Sequence, residues 1–225
     1  MKGFYALLAA VAIVGGGLFW YGSRAQPASA PAPRTPAAAP PLAAGDAFRG
    51  FTLGPDSAPI EVTEYSDFEC PFCASFATVQ MPVIREQLIA PGKVRWRYRD
   101  FPLPSHRWSR LASQAAQCAG EQRKFWEFHD QLFSRHQWAQ ADRNPRSEFR
   151  DFGKAVGLDL EKYDACVDGQ RYTPRILASL QEGEALGVGG TPTFFVNGKR
   201  FEGRPTSDAF KALADSLTKA VKTRK

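Results

Sequence analysis

A pair of cysteines two residues apart, set between a strand pattern and a helix pattern, constrains the fold of this chain most. Residues 60–65 alternate and are rich in β-formers, which predicts a strand. Residues 71–89 carry apolar side chains at helical spacing, with Pro82 expected to kink the helix. Cys70 and Cys73 therefore lie where a strand leads into the first turn of a helix. The apolar side of this helix is predicted to consist of Phe76, Val79, Val83, Ile84 and Leu88.

The rest of the chain continues this α/β pattern. Residues 94–101 alternate as a second strand, and residues 105–186 are helical in pattern, with Phe125, Phe128, Leu132 and Phe133 expected in the core. Residues 193–196 predict a further strand, and the Asn-Gly pair after it is a strong hairpin signal. A final helix is predicted from Ser207, as its cap, through Lys222.

One side of the strand at residues 94–101 carries Arg95, Arg97 and Arg99. These arginines could bind an acidic substrate. A solvated or salt-bridged face is the more ordinary interpretation, and we favour it.

A Cys-x-x-Cys motif alone fits half a zinc site, a metallochaperone loop or a redox dithiol. Zinc needs about four ligands, and the three histidines, together with Cys118 and Cys166, are too scattered to complete a spaced set. We therefore expect no metal site and no bound cofactor. The histidines are His106, His129 and His136.

The position of the motif favours redox chemistry. Cys70 would lie beside backbone N–H groups that have no partner in the first helical turn, and these donors favour a thiolate. Each unit by which the pKa of the Cys70 thiol falls stabilises the thiolate by about 1.4 kcal/mol. For a two-electron couple this raises the reduction potential by roughly 30 mV, which makes the protein more oxidising. Cys70 is expected to be the better-exposed sulfur that exchanges with substrate. Cys73, one turn later, would resolve the mixed disulfide.

Several blocks resemble those of DsbA-like thioredoxin-fold proteins. Residues 62–73 (VTEYSDFECPFC) resemble the active-site block, and residues 99–103 (RDFPL) the strand end after the first helix. Cys118-Ala119 with residues 124–126 (KFW) resembles the inserted helical domain, and residues 190–198 (GTPTFFVNG) the cis-proline strand. The resemblance implies a thioredoxin fold with an inserted helical domain at about 105–186, in a domain spanning 46–225.

The resemblance also implies roles for particular residues. Pro192 should be cis and lie beside the dithiol, and Thr191 should offer backbone groups to an extended substrate. Pro71 and Phe72, between the cysteines, should contact substrate as well. Phe72 departs from the Cys-Pro-His-Cys version of the motif, and it supplies neither positive charge nor a hydrogen-bond donor. We therefore expect a milder oxidant than the histidine version.

Glu64 lies six residues before Cys70. In similar proteins an acid at this point is buried behind the motif and helps to move protons, which would make Glu64 a catalytic residue. The alternative is a charged residue at a solvated strand end.

The other two cysteines, Cys118 and Cys166, are 48 positions apart in the helical block. We expect them to form a structural disulfide, worth about 4 kcal/mol at most in the chain-entropy estimate. A second redox pair that relays electrons is the alternative.

The N-terminus predicts export. Residues 3–23 are 21 consecutive uncharged residues, and about 20 apolar residues cross a hydrocarbon core. We expect residues 1–24 to be a transmembrane anchor, or alternatively a signal peptide cleaved near Ser23-Arg24-Ala25. Residues 25–45 contain 15 Ala or Pro among 21 and are interpreted as an extended linker. Either way the folded domain lies outside the cytoplasm, where disulfides persist.

The charge balance argues against nucleic acid. The net charge is +6, of which residues 1–45 contribute +3, so the folded part lacks a strong basic footprint. We expect a thiol:disulfide oxidoreductase that introduces disulfides into exported proteins and is recycled by a membrane redox partner. A reductase or isomerase with the same site, a copper-binding thioredoxin-like protein and a redox-inert binding module are the alternatives.

Overall fold

The computed structural model describes residues 48–222. The predicted anchor or signal (1–24) and linker (25–45) lie outside the described residues. Every helix within residues 48–222 is too short or too polar to cross a membrane.

A five-stranded mixed sheet forms the centre of the fold, in the order β1-β3-β2-β4-β5. The strands are β1 (Phe51–Leu53), β2 (Ile60–Ser66), β3 (Val94–Asp100), β4 (Thr193–Val196) and β5 (Lys199–Arg200). β2 is the middle strand, parallel to β3 and antiparallel to β4. β2 leads directly to the cysteine motif, so the dithiol lies at the C-terminal end of β2. The parallel strand β3 ends at the same end of the sheet.

Seven helices accompany the sheet in the described part of the chain. The first, α1, runs without a break through Pro71–Ser75, Phe76–Gln80, Met81–Ile84 and Arg85–Ile89. The inserted helices are α2 (Ser109–Glu121), α3 (Phe125–Ser134), α4 (Arg146–Ala155), α5 (Leu160–Asp168) and α6 (Thr173–Ala185), with a 3₁₀ turn at His136–Gln140. Helix α7 spans Ser207–Lys222. The expected thioredoxin fold with a helical insertion is confirmed.

Helix α1 is wound irregularly around its proline. The segments Phe76–Gln80 and Arg85–Ile89 are π-helical, on either side of the α-helical turn that contains Pro82. A π-helical turn inserts one residue and rotates the side chains that follow. Val79 consequently faces solvent, with 59% of its surface exposed, and its predicted place on the apolar side is wrong.

The helical insertion packs against the back of the dithiol. One buried cluster contains Phe125, Phe128, Leu132 and Phe133 together with Cys73. These four side chains are core residues, as predicted. Burial of each such large apolar side chain stabilises the fold by roughly 1.5–3 kcal/mol. This packing holds the helical insertion against the segment that contains Cys73.

The final hairpin and the final helix form where the sequence predicts them. Asn197 and Gly198 have positive φ angles of 48° and 77°, as a tight hairpin turn between β4 and β5 requires. Helix α7 begins at Ser207, but the Ala209 amide donates to Thr206 Oγ1 at 3.2 Å. The cap is therefore Thr206, one residue before the predicted one.

The arginine side of β3 is salt-bridged. Arg99 is buried, so this face is not an open surface for an acidic ligand. The three pairs are Arg95 with Asp56, Arg97 with Glu61, and Arg99 with Glu182.

Candidate active site

The loop between β2 and α1 is shaped by an aspartate. Asp67 Oδ1 accepts the Glu69 amide at 2.8 Å, and its carbonyl accepts the Cys70 amide at 3.1 Å. Aspartate favours such local turns because its side chain bonds to the backbone two residues ahead. Cys70 then lies at the N-cap of α1 in an extended conformation, and Pro71 is the first helical residue.

The Asp67 carboxylate also joins this loop to the helical insertion. It is fully buried and accepts hydrogen bonds from the Leu103 amide at 2.8 Å and from Ser109 Oγ at 2.6 Å. His106 Nδ1 lies 2.8 Å from the same carboxylate. A buried carboxylate needs such partners, so the motif loop cannot move independently of α2.

Cys70 carries the more acidic thiol. Its pKa is lowered to about 5, chiefly by a hydrogen bond from the Cys73 side chain. Burial opposes this shift, whereas the Thr191 side chain and the backbone N–H groups of Cys73 and Phe72 reinforce it. These amides are the helix N-terminal donors that the sequence predicted. Cys70 Sγ also lies 3.4 Å from the Thr191 carbonyl oxygen.

Both cysteines are buried. Cys70 has 3% of its surface exposed and Cys73 has 0%. The predicted order of exposure holds, but Cys70 is nearly buried because the segment containing Thr191 lies against it.

Cys73 has the opposite character. Burial, together with its hydrogen bond to Cys70, raises the pKa of the Cys73 thiol. Both thiols are free in this structure. The pair therefore combines a ready thiolate at Cys70 with a protonated thiol behind it.

The remaining predicted contact residues surround Cys70. The Thr191–Pro192 peptide bond is cis, and Thr191 meets the Cys70 sulfur through its carbonyl. On the other side, Pro71 is exposed and Phe72 has 74% of its surface exposed. Two exposed apolar side chains therefore lie next to the dithiol.

Glu64 is buried within the sheet rather than at a solvated strand end. It has 2% of its surface exposed, and its Oε2 accepts a 2.8 Å hydrogen bond from Trp96 Nε1. Burial raises the pKa of Glu64 to about 7, against smaller lowering effects from Trp96, Ser66 and Arg85. A carboxyl with this pKa can both accept and donate a proton near neutrality.

Three further polar residues share the surroundings of Glu64 and were not identified from the sequence. The register of β2 and β3 pairs Glu64 with Tyr98, and Ser66 with Asp100. We call these four buried residues the polar block. The signal was present in the sequence: Ser66 lies two residues after Glu64 and Asp100 two after Tyr98, so each pair shares one face of its strand.

Cys118 and Cys166 form a disulfide that joins α2 to α5, with their Cα atoms 5.9 Å apart. Both residues are buried. The bridge lies in the insertion, in the same buried cluster as the dithiol.

Comparison with known proteins places these features in a family. The chain matches a thioredoxin family model, Thioredoxin_4, over residues 47–216. A curated relative, the Na(+)/H(+) antiporter NhaA 3 of Salinispora tropica, is 34% identical over 180 residues, covering 80% of this chain and 26% of the relative. The chain thus spans about a quarter of the length of that antiporter.

Solved structures share the fold at lower identity. BdbD from Bacillus subtilis has a TM-score of 0.67 at 24% identity, covering 73% of this chain and 90% of BdbD. Alpha-DsbA1 from Wolbachia pipientis has a TM-score of 0.68 at 22% identity, covering 77% of this chain and 94% of that protein. The chain therefore belongs to the thioredoxin family, and its fold is that of DsbA-like thiol:disulfide oxidoreductases.

Proposed function

We propose that this chain exchanges disulfides with exported proteins through Cys70 and Cys73, and that it introduces disulfides rather than removing them. The observation that carries the proposal is the asymmetry of the pair: the pKa of Cys70 is lowered to about 5, whereas that of Cys73 is raised. A stabilised Cys70 thiolate is a good leaving group and favours the reduced form of the protein. The disulfide is then inclined to oxidise its substrates.

The reaction follows from this asymmetry. A substrate thiolate attacks Cys70 Sγ of the Cys70–Cys73 disulfide, and the bonding electrons remain on Cys73. Glu64, with its pKa raised to about 7, supplies the proton that Cys73 takes up. A second substrate thiolate then attacks the substrate sulfur of the mixed disulfide. The substrate leaves with a disulfide, and Cys70 leaves as a thiolate.

The substrate would bind across the surface around Cys70. Phe72 and Pro71 offer exposed apolar area on one side. Thr191 and Pro192 lie on the other, where the backbone next to β4 can pair with an extended chain. Cys118 and Cys166 take no part in this scheme, and their bridge supports the insertion.

A complete cycle needs a partner and a compartment. A membrane redox protein would reoxidise the dithiol, outside the cytoplasm, with the N-terminal segment holding the domain at the membrane. We do not propose ion transport for this chain, because it spans about a quarter of the length of the antiporter relative. The proposed exchange with substrate uses residues of this chain only.

The first test is oxidative refolding of a reduced, unfolded ribonuclease by the oxidised protein. We expect Cys70→Ser to abolish activity and Cys73→Ser to accumulate mixed disulfides between Cys70 and substrate. Cys118→Ala/Cys166→Ala serves as the matched control and should keep activity. Exchange that survives Cys70→Ser would refute the proposal.

The direction of exchange is tested by trapping thiols in cells with an alkylating reagent. A dithiol that is mostly oxidised supports disulfide introduction. A dithiol that is mostly reduced would show a reductase or isomerase with the same site.

A further inference from the structure

No member of the polar block has all of its polar atoms hydrogen-bonded. Each of its four residues is buried, and each has a polar atom without a hydrogen-bond partner. These atoms are Glu64 Oε1, Ser66 Oγ, Tyr98 Oη and Asp100 Oδ1. A buried polar group without a partner costs about 1–3 kcal/mol. Four together, at the end of the strands from which the cysteine motif follows, point to a functional arrangement.

Ser66 occupies the decisive place in this block. Strand alternation puts its side chain on the same face of β2 as Glu64. Ser66 is wholly buried at the end of β2, four residues before Cys70, and it contributes to lowering the pKa of both Glu64 and Cys73. Because the hydroxyl is committed to neither partner in this structure, it is free to bond to either.

We propose that Ser66 is a catalytic residue whose hydroxyl passes the proton between Glu64 and Cys73. The inference rests on the proposed exchange reaction and adds a step to it. When a substrate thiolate breaks the Cys70–Cys73 bond, Ser66 O–H donates its proton to the Cys73 thiolate. Ser66 Oγ takes the proton of the Glu64 carboxyl at the same time. The step leaves a Cys73 thiol, an intact Ser66 hydroxyl and a Glu64 carboxylate.

The reverse transfer serves the resolution of a mixed disulfide. Cys73 loses its proton through Ser66 to the Glu64 carboxylate, and the resulting thiolate attacks Cys70 Sγ. The bond between Cys70 and the substrate sulfur breaks, and the substrate leaves as a thiolate.

Other ionisable groups surround this path and will shape its pH dependence. Arg85 of α1 lowers the pKa of Glu64, and Asp67 contributes a backbone hydrogen bond to Cys73. Tyr98 of β3 interacts electrostatically with both Glu64 and Cys73. Two further ionisable residues lie near Tyr98: Asp100, two residues later on β3, and His129 of α3, whose ring contacts the Tyr98 ring.

The test uses a reaction that reports the two cysteines separately. The reduced protein is mixed with an aromatic nitrobenzoate disulfide, which releases one coloured thiolate when Cys70 attacks and a second when Cys73 displaces the bound half. Stopped-flow absorbance follows both releases across a range of pH, at reagent concentrations where the first is not limiting.

The matched variants are Ser66→Thr and Ser66→Val, which have the same shape and differ only in the hydroxyl. We expect Ser66→Val to slow the second release about 100-fold relative to Ser66→Thr, within the range for general acid–base catalysis. The first release should be the same in both. Ser66→Ala, which adds no volume, should behave as Ser66→Val does.

A double variant separates a relay from a packing effect. Glu64→Gln should slow the second release, and adding it to Ser66→Val should slow it no further, because both changes interrupt one path. Equal rates of the second release in Ser66→Thr and Ser66→Val would overturn the relay. A double variant in which the rate losses of the two single variants multiply would overturn it as well. Failure of the first release at Cys70 in the wild type would instead refute the proposed function.

Discussion

Phe72 is the residue through which the oxidising strength of the dithiol is most easily changed. It is largely exposed beside Cys70 and offers the sulfur only its backbone amide. Phe72→His would add a donor and a partial positive charge, which stabilise the Cys70 thiolate. We expect the reduction potential to rise by roughly 30 mV for each unit by which the pKa of Cys70 falls. A glutathione titration measures this, with Phe72→Leu as the control, and an unchanged or lower potential would contradict it.

Glu64 makes the stability of the protein depend on pH. Its pKa is about 7 in the folded chain and 4.5 as a free side chain. Between these values the folded state keeps a proton that the unfolded state has lost, so this contribution to stability is full below about pH 4.5 and is lost as pH rises through 7. Glu64→Gln keeps an acceptor for Trp96 but does not ionise.

We therefore expect the free energy of unfolding of Glu64→Gln to rise relative to wild type by about 3 kcal/mol between about pH 4 and pH 8. Urea unfolding of both proteins at the two pH values measures the difference. A difference that does not change with pH would mean that folding leaves the pKa of Glu64 unshifted.

At the level of elements, the approach of α6 to the sheet depends on a glycine. A Cβ at Gly183 would lie 2.6 Å from the Phe101 ring and 3.0 Å from Tyr65. A Cβ at Gly153 in α4 would meet the mobile end of Leu158 at 3.2 Å. Both substitutions to alanine gain helix propensity, so the difference between them isolates the packing of α6.

We expect Gly183→Ala to destabilise the protein by about 1–3 kcal/mol, since a packed aromatic interior resists extra volume. Gly153→Ala should be neutral or stabilising by up to about 1 kcal/mol. Thermal unfolding of the two variants is the comparison. Equal stabilities would show that α6 shifts without penalty.

The disulfide between α2 and α5 is predicted to stabilise the insertion without entering the redox cycle. Removing it with Cys118→Ala/Cys166→Ala should lower the free energy of unfolding by at most about 4 kcal/mol. Intact-mass measurement during mild reduction should show the Cys70–Cys73 bond opening first. Simultaneous loss of both bonds would indicate that the second pair relays electrons.

For the molecule as a whole, local patterns in the sequence were enough to predict the order of strands and helices. The strand before Cys70 and the helix after it depend on periodicity and on neighbours in the chain. Val79 was misplaced because residues 76–80 are π-helical, which the spacing of apolar residues does not reveal. Thr206 was missed because Ser207 offered an equally good capping hydroxyl.

The active site was predictable only in part. Cys70 and Cys73 are adjacent in sequence, so their motif identified them. Ser66 influences the pKa of Cys73 across the loop between β2 and α1, and Asp100 joins the polar block only through the register of β2 with β3. The near-complete covering of Cys70 likewise depends on Thr191, more than a hundred residues later in the chain. Contacts of this kind are set by tertiary structure.

The central claim is that the Cys70 sulfur is a thiolate at neutral pH. The most direct measurement is the rate at which iodoacetamide alkylates Cys70 in the reduced protein, followed by mass spectrometry of the modified peptide as a function of pH. The structure predicts a half-maximal rate near pH 5, with Cys73 unmodified throughout. A rate that keeps rising through about pH 8.5, as for an ordinary thiol, would contradict it.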